Sequence, residues 1–538
     1  MTENAEGAER PSFEAASRFL CQAGFGGNEA DIEAVRARGF EGWFLEQIAL
    51  PRRSLIDRYA AAGKPELAYV FPLFWEGAIH GPDQLRQRVA YALSQVIVVS
   101  AKEAGHWADA FVPYVEALSA EAFGNYGALL RRVTYLPAMG IYLSHLGNEK
   151  ADPKTGALPD ENYARELMQL FTIGLTPLTP GGEPLPGDTY RPEDVAGLAS
   201  ILTGLDWAEL DRFAFRRPRA GDPRRLKPMD AYTVAHQPGG KRFLGYETDT
   251  ENPVEAIDGA VRHLFEHVNV PPFVGRQLIQ KLVTSNPSPA YVERVASAFA
   301  AGVFALPSGA TVGGGERGDM VATVAAILFD TEARRADRVA DPRFGRLREP
   351  TLRYAQFVRA FRKPWRPGPA PERLTWQMNA RLDWNFGEQP WYAPSVFGSF
   401  APDYQPPGSV LAAQGMASPE MLAVNAASVT GYMHRVADDF RRVADGAIPE
   451  EGGVFAVDLG GARRAARETD PAALLALVER AFYHGRMPAG SRARIAEAMA
   501  IYAEDRNQAP GAQERFVKRR AGLALAMAML DPAYAVQR

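Results

Sequence analysis

The sequence predicts a mostly α protein: a large, irregular multi-helical fold with long Pro/Gly-rich loop insertions and minor short β. Three observations carry that reading. Apolar residues recur three and four positions apart toward both ends of the chain, and strand-like alternation is scarce. With 49 glycines and 41 prolines the chain has a modest excess of both, which lies mainly in loops around residues 174–245, 303–318 and 365–408.

The N-terminal part, residues 12–173, reads as successive amphipathic helices at Arg18–Phe25, Glu29–Arg38, Phe40–Ala49, Gln84–Ser100 and Trp107–Phe123. Gln84–Ser100 is the most apolar of these and is expected in the core. Two loops rich in Pro, Gly and Arg follow, Gly174–Tyr190 and Phe213–Gly245, with a short helix near Arg191–Thr203 between them. Lys241–Gly245 is the best strand candidate. Helical periodicity returns at Pro253–Val268, Phe273–Ala300 and Asp319–Asp337, and again from Pro419 to the end. Length alone allows about three or four domains. The spread of helical blocks instead favours one helical unit over 12–538, with possible parts at 12–173, 174–345 and 346–538.

Composition narrows the function classes. A 46% hydrophobic and 23% charged chain is globular, and its net charge of −4 gives no sign of bulk nucleic-acid or anionic-membrane binding. No stretch reaches the length of a membrane span, and residues 1–11 lack the basic and apolar regions of a secretory signal, so a cytoplasmic location is expected. The single cysteine, Cys21, excludes intramolecular disulfides and multi-cysteine zinc sites, and it lies in an apolar run that suits the core.

The sharpest chemical feature is Asp160–Phe171 (DENYARELMQLF). On a helix Glu161 and Arg165 pair across one turn, while Asn162, Glu166 and Gln169 form a polar stripe. Asp160 suits the N-cap. So much of the circumference is apolar that the helix is expected to be buried, its carboxylates meeting partners, a cation or water. Two readings stand: an ion-pair network that fixes helix packing, or a centre in which Glu161 or Glu166 is a metal ligand or general acid/base and Arg165 binds an anionic group. Asp194 either caps its helix or joins Glu161 and Glu166 as a third oxygen ligand for a hard cation. His236 sits in a Pro/Gly-rich loop, where it is either a structural histidine or a functional one.

Other patterns are weaker. His263, Glu266 and His267 spell an inverted zincin signature, but capping of the helix end near Val268–Pro271 explains them better. Seven basic residues, Arg212, Arg216, Arg217, Arg219, Arg224, Arg225 and Lys227, crowd one loop that either docks an anionic partner or is simply solvated. Seven aromatics, Trp384, Phe386, Trp391, Tyr392, Phe397, Phe400 and Tyr404, either form a ligand platform or pack their loop onto the core. Gly313, Gly315 and Gly318 have dinucleotide-fingerprint spacing without a preceding strand. Glu103 with His106 is the one E-x-x-H pair, where a di-iron bundle needs two. There is no Walker loop and no nucleophile elbow.

Together these segments resemble a bacterial family known as domain of unknown function 1800. The most specific match is Pro159–Leu175 (PDENYARELMQLFTIGL), preceded by Ala138-Met139-Gly140 and Tyr142-Leu143. Asp83–Ser100, Asn125–Leu130, Pro272–Pro289, Arg346–Pro350, Ala393–Phe397 with Pro406-Pro407-Gly408, and Asp531–Arg538 follow the same pattern. The resemblance implies no reaction. It places the family's glutamates and arginine on Glu161, Arg165 and Glu166, its aspartate-valine on Asp194-Val195, and its loop histidine on His236. Family members commonly have His-Asp there, whereas this chain has Gln237, which weakens a metal role. The resemblance also implies a twin-arginine-exported partner protein, with which a chain lacking its own signal would reach the periplasm.

The leading expectation is an enzyme, hydrolytic before redox, with Glu166 as general base or ligand, Arg165 as anion clamp and His236 as proton-transfer group or ligand. Its metal set would be Glu161, Glu166, Asp194 and His236 around a divalent cation, the candidate cofactor. The rival is a non-catalytic binding or scaffold protein. An enzyme requires these five residues to converge on a concave pocket.

Overall fold

The computed structural model describes residues 10–63, 66–102, 107–211, 217–366, 368, 370, 386–445, 455–501 and 511–538. The fold is mostly α, and the strands among the described residues form only two-stranded antiparallel ladders. None of the described helices is long and apolar enough to cross a membrane.

Capping chemistry sets the first helices. In α1 (Phe13–Ala23) the Ser12 hydroxyl accepts from Ala15 N–H at 3.1 Å. In α2 (Glu29–Ala49) Asn28 and Asp31 exchange reciprocal side-chain-to-backbone bonds, which satisfies two otherwise orphaned donors. The two helices expected on either side of Gly39 are one helix with a kink, for Gly39 has φ of 71°. Then come α3 (Leu55–Ala61), α4 (Phe71–His80), α5 (Gln84–Ser94), α6 (Ala108–Glu121), α7 (Tyr126–Thr134) and α8 (Pro137–Tyr142). The apolar run after Ser94 leaves the helix early, yet Val96–Val99 stay buried.

Next come α9 (Asn162–Gln169) and α10 (Pro192–Ile201), then the hairpins β1–β2 (Leu205–Asp206, Asp230–Ala231) and β3–β4 (Lys241–Phe243, Tyr246–Thr248). The expected strand is therefore present. α11 (Pro253–Glu266) leads into α12 (Val270–Leu282) and α13 (Pro289–Ala301). The long helix expected over Phe273–Ala300 is broken because Pro287-Ser288-Pro289 cannot continue it and Ser288 caps a new one. β5–β6 (Phe304–Ala305, Thr311–Val312) precedes α14 (Met320–Phe329) and α15 (Thr331–Arg334), which Asp330 separates by capping the second. The fingerprint glycines lie in this hairpin and the turn after it, all three with positive φ.

The strand β7 (Arg346–Leu347) pairs with β8 (Val536–Gln537), and α16 (Pro350–Phe361) follows β7 directly. The C-terminal helices Ala426–Asp445 and Ala512–Leu530 pack along one another, and Ala472–Phe482 lies against the second of them. Buried apolar side chains form a core cluster that runs from Ala16 to Tyr534, with Cys21 buried in α1.

The basic loop is knitted into the fold. Arg225 is buried, pairs with Asp109 at 3.1 Å and stacks on the Trp107 ring, while Arg224 pairs with Asp222 and Lys227 with Glu209. Arg217, Arg219 and Lys227 are exposed in the manner of a solvated loop; Arg212 and Arg216 lie outside the described residues. Trp384, Glu103 and His106 also lie outside them.

Candidate functional site

The DENYAREL segment starts a helix as its sequence predicts: Asp160 Oδ1 accepts from Asn162 N–H at 2.8 Å. Its inner face, Tyr163, Ala164, Leu167 and Met168, is buried. Tyr163 stacks on His145 with centroids 3.9 Å apart, and burial lowers the His145 pKa to about 4, so the imidazole is neutral. The expectation of a buried helix holds for one face and not for the other. Glu161 and Arg165 pair at 3.0 Å as predicted, but 43% and 46% exposed, so water screens them and the pair contributes little. Eight residues suffice for one buried face, and the opposite face meets solvent.

Glu166 is the one carboxylate of this helix that is buried. Its Oε2 has no hydrogen-bond partner, and burial raises its pKa, Arg165 opposing the shift. One turn on, Gln169 Oε1 accepts from the Tyr190 hydroxyl at 3.2 Å. Burial also raises the Tyr190 pKa, with Arg165 lowering it and Glu166 raising it, which places all three in one electrostatic neighbourhood.

Asp194 is a cap. Its Oδ2 accepts from Arg191 N–H and its Oδ1 from Leu244 N–H, both at 2.8 Å, which ties α10 to the β3–β4 turn. Asp194→Ala should therefore cost about 1–2 kcal/mol in chemical denaturation, a loss Asn recovers in part. His236 is 2% exposed; its Nδ1 meets Thr203 O at 3.0 Å, so Nδ1 carries the proton and Nε2 is left without a partner. Burial lowers its pKa, so it is neutral near pH 7. Gln237 accepts from Ala151 N–H at 2.9 Å. His263 Nε2 meets Leu244 O, and His267 at the end of α11 accepts from Asn269 N–H.

The structure does not gather Glu161, Glu166, Asp194 and His236 into a ligand set. Among the described residues no three His, Cys, Asp or Glu side chains are grouped to hold a metal ion. Asp194 has both oxygens committed to backbone donors and Glu161 is paired on the surface, which is the physical reason.

A cavity of about 770 Å³ lies beside this helix, and Gln169 and Leu170 reach its wall. The face of α12 that lines it carries Phe273, Arg276, Gln277 and Gln280, the i, i+3, i+4, i+7 spacing of one helical stripe. Opposite stand the loop 174–184 and the aromatic loop from Val396 to Tyr404. Gly174 has φ of 71°, and a Cβ there would come within 2.8 Å of the Phe273 ring, so the loop's close approach requires glycine. Gln280 Nε2 donates to Ser285 O at 3.0 Å and Pro402 O at 3.1 Å, which fastens the aromatic loop to α12. Arg276 and Asp403 pair at 2.7 Å across the rim. Gln277 is buried and its Nε2 has no partner. The aromatic loop thus has two roles: Phe386 and Phe400 are buried, Trp391 packs on Phe74 and Phe111, and half-exposed Phe397 faces the cavity.

A buried charge centre backs this wall. Gln95, which lines the cavity, donates to Glu349 Oε2 at 2.9 Å, beside the Tyr91 hydroxyl at 2.7 Å. Arg346, fully buried, pairs with Glu349 and with Glu420, Nη2 to Oε1 2.7 Å in the latter. Both Arg88 and Arg346 donate to the Lys281 carbonyl. The Lys281 ammonium rests over the Phe400 ring at 5.3 Å; burial lowers its pKa, Glu420 and Glu349 opposing. Glu388 accepts from Thr351 N–H at 2.8 Å, and burial together with the Glu349 charge pushes its carboxyl up to about 8. None of the cavity glutamines nor this centre emerges as a site from the sequence. The available signal is Arg88 within the apolar stretch of α5, since a charge in such a helix demands a partner.

The fold and site define a mostly α protein with a largely apolar cavity backed by buried ion pairs. The model of a family described as Protein of unknown function (DUF1800) matches residues 18–536, and the chain belongs to that family. No curated protein and no solved structure matches it.

Proposed function

We propose that the chain binds a small organic molecule, apolar over most of its surface with amide- or hydroxyl-type groups at one side, in the cavity between α12 and the aromatic loop. The observation that supports this most directly is the cavity itself. Its roughly 770 Å³ falls within the range of small-molecule sites, and its apolar walls carry a few convergent amides, among them the unpartnered Gln277. The test uses anilinonaphthalene sulfonate, an amphipathic fluorescent probe. The wild-type chain should take up one equivalent, and Val396→Trp, which fills the cavity from its partly exposed wall, should weaken uptake at least tenfold with the fold intact. Equal uptake by a folded Val396→Trp variant would refute the reading.

A hydrolytic role is the second reading, favoured by Glu166: a buried carboxylate with a free oxygen and raised proton affinity suits a general base. Arg165 would then clamp an anionic group and His236 would move protons. On this reading Glu166→Gln abolishes ester or amide hydrolysis and leaves probe uptake unchanged. A non-catalytic role beside a co-exported partner predicts co-purification of that partner from a periplasmic fraction, and recovery from the cytosol alone overturns it.

A further inference from the structure

The buried charge centre also borders a second, smaller pocket of about 170 Å³, which shares no lining residue with the large cavity. Arg348, just after β7, and Arg353, in the first turn of α16, line it together with Glu420, from the short helical turn Pro419–Ala423, and with residues of the helix Ala426–Asp445. Arg353 lies over the Tyr432 ring, 4.2 Å from its centroid, and its Nε is buried without a partner. Among the described residues its side chain makes no hydrogen bond and no ion pair. Arg348 is buried and donates only to neutral acceptors, the Gln356 amide and the Tyr534 carbonyl. Glu420, 3% exposed, gives Oε1 to Arg346 Nε at 3.0 Å and Nη2 at 2.7 Å, while its Oε2 is buried without a partner. Glu420 and Arg353 thus line one pocket without pairing with each other. The outer part of the lining is apolar, since Val424, Val429 and Met433 are 40%, 45% and 48% exposed.

A buried carboxylate oxygen without a donor and a guanidinium without a counter-anion both cost free energy until a partner of opposite charge reaches them. The stack on Tyr432 leaves the edge of the Arg353 guanidinium free, and that edge matches a carboxylate. A ligand that meets both residues in so small a space carries its own carboxylate and its own ammonium on neighbouring atoms. No protein side chain does so, and a chain terminus brings only one of the two charges. The volume lies below the roughly 300–1,000 Å³ of sites for drug-sized ligands, which limits what the occupant carries beyond those two groups. We propose that this pocket binds a free α-amino acid with a branched aliphatic side chain of leucine size. Its carboxylate would meet Arg353, its ammonium Glu420 Oε2, and its side chain Val424, Val429 and Met433. Arg348 adds a second positive charge to the lining and favours the carboxylate.

The test is calorimetric titration of the full chain with leucine near neutral pH. The wild type should bind one equivalent. Isocaproate, which lacks the ammonium, and isoamylamine, which lacks the carboxylate, should each bind about tenfold more weakly or worse, because each leaves one buried charge unmet. Arg353→Gln should weaken leucine binding by a similar factor, as should Val429→Trp, which fills the pocket from its exposed side; circular dichroism checks that both variants are folded. The comparison of the three ligands is made on the wild type and needs no variant to fold. A wild-type chain that ignores leucine, isocaproate that binds as tightly as leucine, or undiminished leucine binding by a folded Arg353→Gln or Val429→Trp variant would each overturn the proposal.

Discussion

Arg346→Met should destabilise the protein by about 3–5 kcal/mol in equilibrium denaturation, the largest loss expected for any single side chain of the charge centre. Arg346 is fully buried between Glu349 and Glu420, and it shares the Lys281 carbonyl with Arg88. Removing it strands two carboxylates in an apolar interior, and that uncompensated desolvation is the origin of the loss. Arg346→Met combined with Glu420→Gln should recover part of the stability, because Glu349 then still faces the charges of Arg88 and Lys281. If the single variant loses less than about 1 kcal/mol, the centre is wet and does not act as described.

The second large effect is a pH dependence carried by Glu388. Its folded carboxyl holds a proton up to about pH 8, whereas the unfolded chain releases it near the ordinary value of 4.5. Between those values the folded state binds more protons than the unfolded state, so stability falls as pH rises, by roughly 1 kcal/mol per pH unit from this group. Glu388→Gln keeps the acceptor for Thr351 N–H and removes the titration, so its stability should not share that slope between pH 5 and 7.5. Glu349 acts with the opposite sign and in another window. Its folded pKa is lowered: burial raises it, but Arg346, Arg88 and Lys281 outweigh that, so its contribution is lost only as pH falls below the ordinary carboxylate range. Denaturation midpoints of wild type and variant that run parallel across pH 5–7.5 would rule out the buried, protonated Glu388.

Local chemistry was legible where the determinants lie within a turn or two. The Glu161–Arg165 pair and the Asp194 cap follow from spacing, and the structure has both; Asp160, expected as the N-cap, instead stands one residue before it and accepts from Asn162 N–H. Burial was harder to read. The DENYAREL helix looked apolar enough to be enclosed, yet its Glu161–Arg165 edge faces water because one buried face accommodates its aromatic and aliphatic residues. The cavity was not legible at all. It draws Gln95, Gln169, the α12 stripe and residues 396–404 from four separated stretches, and Gln95, Gln277 and Gln280 each look like ordinary polar residues in their own stretch. The charge centre is equally non-local, joining positions 88, 281, 349 and 420. The aromatic loop was read as either packing element or platform; its buried rings pack it onto the core, while Phe397 and Phe400 also line the cavity.

The β7–β8 ladder has a consequence for how the molecule is made. Residues 536–537 pair with Arg346 and Leu347, Gln537 donates to Leu282 O, and Arg348 N–H reaches Ala535 O. During synthesis, the strand that carries Arg346 has to wait for almost two hundred further residues before its neighbour leaves the ribosome. Until then Arg346, Glu349 and the end of α12 lack one wall of their enclosure and are open to water. Closure of that edge thus waits on β8, and loss of β8 would leave β7 without its partner strand.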